Sequence, residues 1–295
     1  MDTGILYALG AYVLWGLFPI YWKWLHNVPA VQVIGHRIGW SFILVMIVIL
    51  ATKQWTKFRS ALTRRVLGVY LIAGILLSFN WLIYVWAVNA DHVVETSLGY
   101  FINPLFSVLL GMIFLKERLR PLQWLPIGLA ALGVIYLTWT YGSLPWIALS
   151  LTFTFGFYGL VKKISPLGSL YGLTLETGWV FLPALGYLIY TQVTGTGSFG
   201  HAGFVSDFLM VASGVVTAVP LLMFASAAKR IPLTMIGIMQ YIAPTLQFLI
   251  GVLLYKEPFT RTNLIGFSLV WVALIVFWVE SVYAHRAKKT IVEVA

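Results

Sequence analysis

The stretch Tyr100-Phe-Ile-Asn-Pro104, set beside Gln240-Tyr-Ile-Ala-Pro244, decides how this chain folds. The two are offset by 140 residues, and at that offset Ile102/Ile242, Pro104/Pro244, Leu109/Leu249, Gly111/Gly251, Lys116/Lys256 and Glu117/Glu257 are identical. Six identities within 16 positions, including a proline inside an apolar run and the Lys-Glu that closes it, mark an internal repeat. Outward from this pair, apolar runs occupy 4–25, 33–51, 68–88, 93–115 and 122–139 in the first unit. The second unit carries 145–160, 169–190, 206–227, 233–255 and 263–282. Five crossings per unit is an odd number, so the second unit must enter the membrane from the side opposite to the first.

The runs cluster around the roughly 20 residues a helix needs to cross a hydrocarbon core, 145–160 being the shortest. Backbone groups in hydrocarbon must be satisfied within the segment, which makes each run a helix. Membrane strands would be shorter, alternating segments. Composition agrees. Apolar residues make up 60% of the 295 positions and charged residues 9%, with a mean hydropathy of +0.91. A soluble domain carries about 25% charged residues because its surface must face water. The excess of basic residues, 19 against 9 acidic, falls in short gaps between apolar runs, which excludes a nucleic-acid face on a soluble domain. No cysteine is present, which removes disulfides, thiolate metal sites and a thiol nucleophile. The first run lacks a basic leader and a small-residue cleavage site, so it reads as a span and not as a signal peptide.

Lys and Arg in the loops set orientation. Fifteen of the nineteen fall on one side: five in 52–67, Lys116, Arg118, Arg120, Lys162, Lys163, Lys229, Arg230, and Arg286, Lys288 and Lys289 in the tail. That side is expected to be cytoplasmic, with both termini there. Gap 52–67 carries five basic residues and its counterpart 191–205 carries none. Two related halves of opposite charge bias are what an inverted repeat requires, an arrangement many secondary transporters share. The units are expected at 1–142 and 143–284, followed by a cytoplasmic tail, 285–295.

Several strings resemble a known family: Tyr12-Val-Leu-Trp-Gly16, His36-Arg37-Ile-Gly-Trp-Ser41, Asn80-Trp81 with Trp86-Ala-Val-Asn89, Ser97-Leu-Gly-Tyr-Phe-Ile-Asn-Pro104, Gly156-Phe-Tyr-Gly-Leu160, Val219-Pro-Leu-Leu222 and Gln240-Tyr-Ile-Ala-Pro244. Together they resemble the ten-helix drug/metabolite transporter superfamily with two EamA-type repeats, and within it the RarD branch. The resemblance implies a bacterial inner-membrane transporter of small organic molecules. At one position the chain departs from it: Gln32 stands where an acidic residue is expected four or five positions before His36-Arg37, so no carboxylate is there to couple protons.

Polar groups inside a membrane are costly and tend to mark function. Glu176 lies seven residues into its run, roughly 10 Å deep at 1.5 Å per residue. It suits a proton carrier or an anchor for cationic cargo, and equally a structural ion pair. Glu95 opens the fourth run, where a carboxylate favours the helix dipole. Pro104 and Pro244 each free the carbonyl four residues earlier, at Tyr100 and Gln240, and Asn103 and Gln240 add polar side chains beside the expected kinks. Transporters build midplane sites from such broken helices. Asn80 and Tyr84 share a helix face at i, i+4, and Pro220 occupies the position equivalent to Asn80. The expected cargo site is therefore Asn80, Tyr84, Tyr100, Asn103, Tyr158, Glu176, Gln240 and Tyr241 around one central cavity, with Pro104, Pro220 and Pro244 as kinks. Trp15, Tyr158 and Tyr241 could give it an aromatic lining, whereas Trp22, Trp24, Trp55 and Trp146 read as interface anchors. Gly111 and Gly251 are expected to permit close packing. His36-Arg37 fits either a gate or a pair snorkelling to the interface.

The five histidines are scattered, with no HExxH, paired-carboxylate or Walker-type motif, so neither an enzyme nor an ATP-driven pump is expected. The reading is a secondary transporter, in the export direction, for small organic metabolites or amphipathic drugs, working by alternating access. A channel-like facilitator or an intramembrane enzyme are the alternatives. No cofactor or metal is expected, with protons as the candidate coupling ion. Its partners are a small-molecule substrate and the lipid bilayer, with no nucleic acid, in a monomer or a homodimer.

Overall fold

A computed structural model describes residues 2–89, 93–141, 146–256 and 261–280, apart from 263, 267, 270, 274 and 278. Among the described residues the α-helices are α1 (Thr3–Gly16), α2 (Phe18–Lys23), α3 (Ala30–Ala51), α4 (Trp55–Ser60), α5 (Arg64–Asn89), α6 (Val93–Leu115), α7 (Trp124–Tyr141), α8 (Trp146–Ile164), α9 (Ser169–Val193), α10 (Phe204–Ala228), α11 (Leu233–Met239) and α12 (Ile242–Leu249), and no strand occurs. A further apolar helix, α13, covers Leu264–Phe277. Among the described residues, eight helical segments are long and apolar enough to cross a membrane, and Gly99–Leu115 and Leu264–Phe277 are shorter apolar helices. Large apolar side chains such as Trp139, Leu182 and Phe204 point outward from the bundle, as a lipid-facing surface requires.

Local signals explain the helix ends. Asp2 Oδ1 accepts from the Gly4 N–H (2.8 Å) and caps α1. Pro19, in the first turn of α2, parts it from α1 at Leu17, because proline removes a donor the continuous helix would need. After α3 and α9 the chain turns through left-handed Lys53 (φ 56°) and Gly195 (φ 72°). The Gln54 and Thr196 N–H groups then reach back to Ile49 and Thr191. Lys116 and Lys256, paired by the repeat, share the same rare conformation at φ 55° and 57°. The repeat thus extends to backbone geometry.

Helix contacts follow a reciprocal pattern. α1 packs on α10 as α8 packs on α5; α3 packs on α10 as α9 packs on α5; and α3 meets α9 as α6 meets α11. Glycine lets two of these backbones touch: a Cβ on Gly214 would fall 2.6 Å from the Trp40 carbonyl carbon, and one on Gly237 would fall 2.6 Å from the Pro104 oxygen. The expected unit boundary at 142/143 and the tail 285–295 lie outside the described residues.

The two repeat prolines act differently. α6 runs unbroken through Pro104, whereas the ninth run parts at Gln240–Tyr241 between α11 and α12. There the Gln240 carbonyl, freed by Pro244, accepts from the Ala243 N–H (3.2 Å). Helix α8 extends past the expected 160 to Ile164, carrying Lys162 and Lys163 into the bundle.

Candidate functional site

Helices from both repeat units enclose a cavity of about 250 Å³, just under the roughly 300–1,000 Å³ of ordinary ligand pockets. α1 and α2 contribute Tyr12, Trp15, Phe18, Pro19 and Trp22; α3 contributes Arg37; α5 contributes Leu77, Asn80, Trp81 and Tyr84; α6 contributes Tyr100. The second unit supplies Phe155 from α8, Thr217 and Leu221 from α10, then Gln240, Ala243, Pro244 and Gln247. Arg37 and Tyr100 lie near the starts of α3 and α6, and Tyr84 near the end of α5. Those ends are remote from the basic loops, so the cavity occupies the half of the bundle away from the basic face.

Arg37 is the charged residue of this wall. Its guanidinium lies 4.5 Å from the Trp22 ring centroid, 4.7 Å from Trp81 and 5.9 Å from Phe18. Its Nε donates to Thr217 Oγ1 (2.9 Å), which ties α3 to α10. Each aromatic contact of this kind stabilises the cation by about 0.5–2 kcal/mol. Asn80 Nδ2 donates to the Leu151 carbonyl and to Thr154 Oγ1, both at 3.0 Å. It therefore ties α5 to α8 as well as facing the cavity.

Toward the basic face the cavity ends on aromatic rings. Tyr158 and Phe224 stack at 14° with centroids 6.1 Å apart, and Tyr12, Trp15 and Phe155 pack around Phe224. Beneath them lies a buried ion pair. Lys162 Nζ donates to Glu176 Oε1 at 2.7 Å, and the Tyr158 hydroxyl donates to Oε2 at 3.1 Å. The lysine and glutamate side chains are 2% and 1% exposed, so each neutralises a charge the membrane interior would not tolerate alone. α8 and α9 both pack on α5, whose Tyr70 ring lies 5.6 Å from the ammonium.

Below this pair, contacts between units close the basic face. Glu117 accepts from the Leu233 and Thr234 N–H groups (2.8 and 2.9 Å), where a carboxylate matches the N-terminus of α11. Within the second unit, Lys163 Nζ donates to the Ile231 carbonyl (2.6 Å) and Lys229 to that of Ser165. Partial burial, then repulsion from Lys162 and Lys163, pushes the Lys229 ammonium below the ordinary lysine range.

Of the residues expected around one cavity, Asn80, Tyr84, Tyr100 and Gln240 line it, and Pro244, expected as a kink, lines it too. Tyr158 and Glu176 belong instead to the ion-pair cluster beneath. Tyr241 and Pro104 border a separate apolar void of about 10 Å³ against α7. Asn103 is buried, its Oδ1 without a partner among the described residues. Pro220 is buried in unbroken α10, between the wall residues Thr217 and Leu221. Side chains spaced along one helix point in different directions, so a shared kink does not give a shared cavity. The Glu95 side chain lies outside the described residues.

Arg37 and Trp22 face the cavity and each other, where the sequence suggested a gate or snorkelling residue and an interface anchor. Trp24, Trp55 and Trp146 are exposed, as anchors would be. Lys162 read as a loop charge; the lone acid Glu176, one span away, was the signal for a buried partner. Thr217 gave no signal, being one hydroxyl in a run that tolerates many. Gln32 is a staple: its Nε2 donates to the Thr196 carbonyl and its Oε1 accepts from the Ser198 N–H, both at 2.8 Å.

Residues 2–139 match the model of the "EamA-like transporter family". An "Uncharacterized transporter YojE" of Bacillus subtilis is 46% identical, covering 97% of both chains. "Protein RarD" of Escherichia coli is 42% identical over 96% of each. A "Chloramphenicol-sensitive protein RarD" of Pseudomonas aeruginosa is 30% identical over 92% of each. A protein crystal structure at 17% sequence identity superposes over 93% of this chain and 97% of its own, with a TM-score of 0.68, which shows a shared fold.

Proposed function

Because this chain belongs to the EamA-like transporter family, in its RarD-like branch, we propose that it is a secondary transporter that exports small organic metabolites or amphipathic drugs by alternating access. It is a multi-pass membrane protein, and its proposed home is the bacterial inner membrane, crossed ten times by inverted units 1–142 and 143–284, with both termini cytoplasmic. The observation that carries this reading is a cavity walled by both units and closed toward the basic face by the Tyr158–Phe224 stack and the Lys162–Glu176 pair. Rocking of the units would open that closure and shut the opposite mouth. Protons are the proposed coupling ion: a proton taken up by Glu176 would cancel the ion pair and loosen the basic face.

Purified protein is first screened by thermal shift against metabolites, amino acids and amphiphilic drugs. Chloramphenicol belongs in the panel because a relative's name carries it. Flux of a stabilising compound is then measured in proteoliposomes. Saturable flux, accelerated by unlabelled compound on the far side, is the expected result. Flux that rises linearly without acceleration identifies a channel-like facilitator, and chemical conversion of the compound identifies an enzyme. Either outcome overturns the proposal.

A further inference from the structure

We propose that Arg37 makes this cavity a site for organic anions: a carboxylate held by the guanidinium, with the apolar body of the cargo among the aromatic walls. This deepens the transporter reading and rests on it. Among the described residues the ion pairs are Lys162–Glu176 and Arg120–Glu280, so no described carboxylate neutralises Arg37. A guanidinium has five N–H donors in a planar fork. Nε is committed to Thr217, and the Nη groups have no acceptor among the described residues. Trp22 and Trp81 lie against the guanidinium and, like Thr217, bring it no negative charge.

A cation held within a membrane is expensive unless an anion compensates it. A fixed fork is matched by bidentate binding of an oxyanion such as a planar carboxylate. The remaining wall supplies a cargo body with what it needs: Trp15, Trp22, Trp81 and Phe155 as flat apolar faces, and Gln240 and Gln247 as neutral hydrogen-bonding ends. The described wall residues include no Asp or Glu. A cationic amphiphile would meet Arg37 with nothing to offset the repulsion, so the geometry favours acids over amines.

The chain has no cysteine, so one reporter thiol can read the potential inside the cavity without knowledge of the cargo. Ala243→Cys places it on the wall. Its modification by anionic methanethiosulfonate ethylsulfonate is compared with that by the cationic trimethylammonium reagent, each relative to a free thiol in solution. The anionic reagent should be favoured by about tenfold, as expected for a unit charge nearby at intermediate dielectric. Arg37→Gln in the same background should remove the preference. Arg37→Lys, which retains the charge, should keep it and guards against a folding defect in the first variant. Phosphatidylcholine vesicles with and without phosphatidylglycerol separate the sources of an anion, each rate being referred to that of an exposed Thr196→Cys thiol in the same vesicles to cancel the surface potential: the proposal expects equal ratios, whereas a ratio lowered by the anionic lipid would assign Arg37 to a headgroup and overturn it. Labelling without an anionic preference, or a preference that survives Arg37→Gln, would overturn the anion site while leaving the transporter reading in place. No labelling by either reagent, with the thiol reactive after denaturation, would reject the cavity as a solvent-accessible site and both readings with it.

Discussion

The Tyr241 hydroxyl donates to the Phe101 carbonyl across 3.1 Å, and these residues are 140 positions apart, which is the offset of the repeat. A two-fold operation carries each residue onto its counterpart, so counterparts that touch must lie beside the axis. Phe42 and Phe181, one position short of that offset, have ring centroids 4.7 Å from each other. The pseudo-two-fold axis therefore passes through the α6 contact with the α11–α12 break and through the α3–α9 contact. In the proposed alternating access, these two contacts would serve as the pivots.

Gly237 sits at the first pivot, where a Cβ would meet the Pro104 oxygen at 2.6 Å. Gly237→Ala is expected to destabilise the protein by about 1–3 kcal/mol, the usual cost of overpacking against an atom that cannot move aside. Gly39→Ala, with nothing within 4 Å, should be neutral. Thermal unfolding in detergent compares the two; equal midpoints would mean that the α6–α11 approach is not a tight contact.

Removing one member of the Lys162–Glu176 pair leaves the other charge buried, at a cost of about 3–5 kcal/mol. Lys162→Met and Glu176→Leu should each lower the unfolding midpoint markedly, and the double variant should recover most of the loss. Glu176→Gln keeps an acceptor for the ammonium yet cannot ionise, so transport between about pH 5.5 and 8 should lose its pH dependence. A variant with the parent's pH profile would remove Glu176 from proton coupling and leave it as a structural partner.

Orientation is tested by two single cysteines in the cysteine-free chain. Thr196 and Ser60 are both exposed, on opposite faces. An impermeant maleimide applied to intact cells should modify Thr196→Cys and spare Ser60→Cys. The reverse result would invert the topology.

The membrane class and the repeat were legible because both are written in one dimension: apolar runs of span length, and identities at a fixed offset. Four of the expected cargo residues reached the cavity for the same reason, since Asn80 and Tyr84, like Tyr100 and Gln240, are placed by helix periodicity and by the repeat. Which polar group faces which neighbour is a three-dimensional matter. Asn103 and Tyr100 are three residues apart, yet only Tyr100 lines the cavity. Lys162 reads in sequence as a charge at the end of its span, and its contact with Glu176 arises only from the packing of α8 and α9 on α5. Arg37 could be recognised as a basic residue inside a span, but its aromatic surroundings come from α2 and α5, which sequence separation hides. The unequal effects of Pro104 and Pro244 were also not legible, because proline removes the same bond in both and the surrounding packing decides whether the helix parts.

Alternating access requires that the cavity be reached from the two faces in turn, which a lock on one face puts to the test. A Cβ on Gly4 would lie 2.8 Å from the Arg230 Cβ, inside the roughly 3.5–4.5 Å between the β carbons of a disulfide, so the two backbones must part by about 1 Å for Gly4→Cys and Arg230→Cys to bridge the basic face on oxidation. Ala243→Cys reports access to the cavity, labelled by an impermeant reagent from either side of oriented vesicles. Without the lock, labelling from both sides is expected. With the disulfide formed, labelling from the basic side should stop while labelling from the opposite side continues, and reduction should restore both. Unchanged labelling from the basic side in the locked protein would contradict alternating access at this cavity.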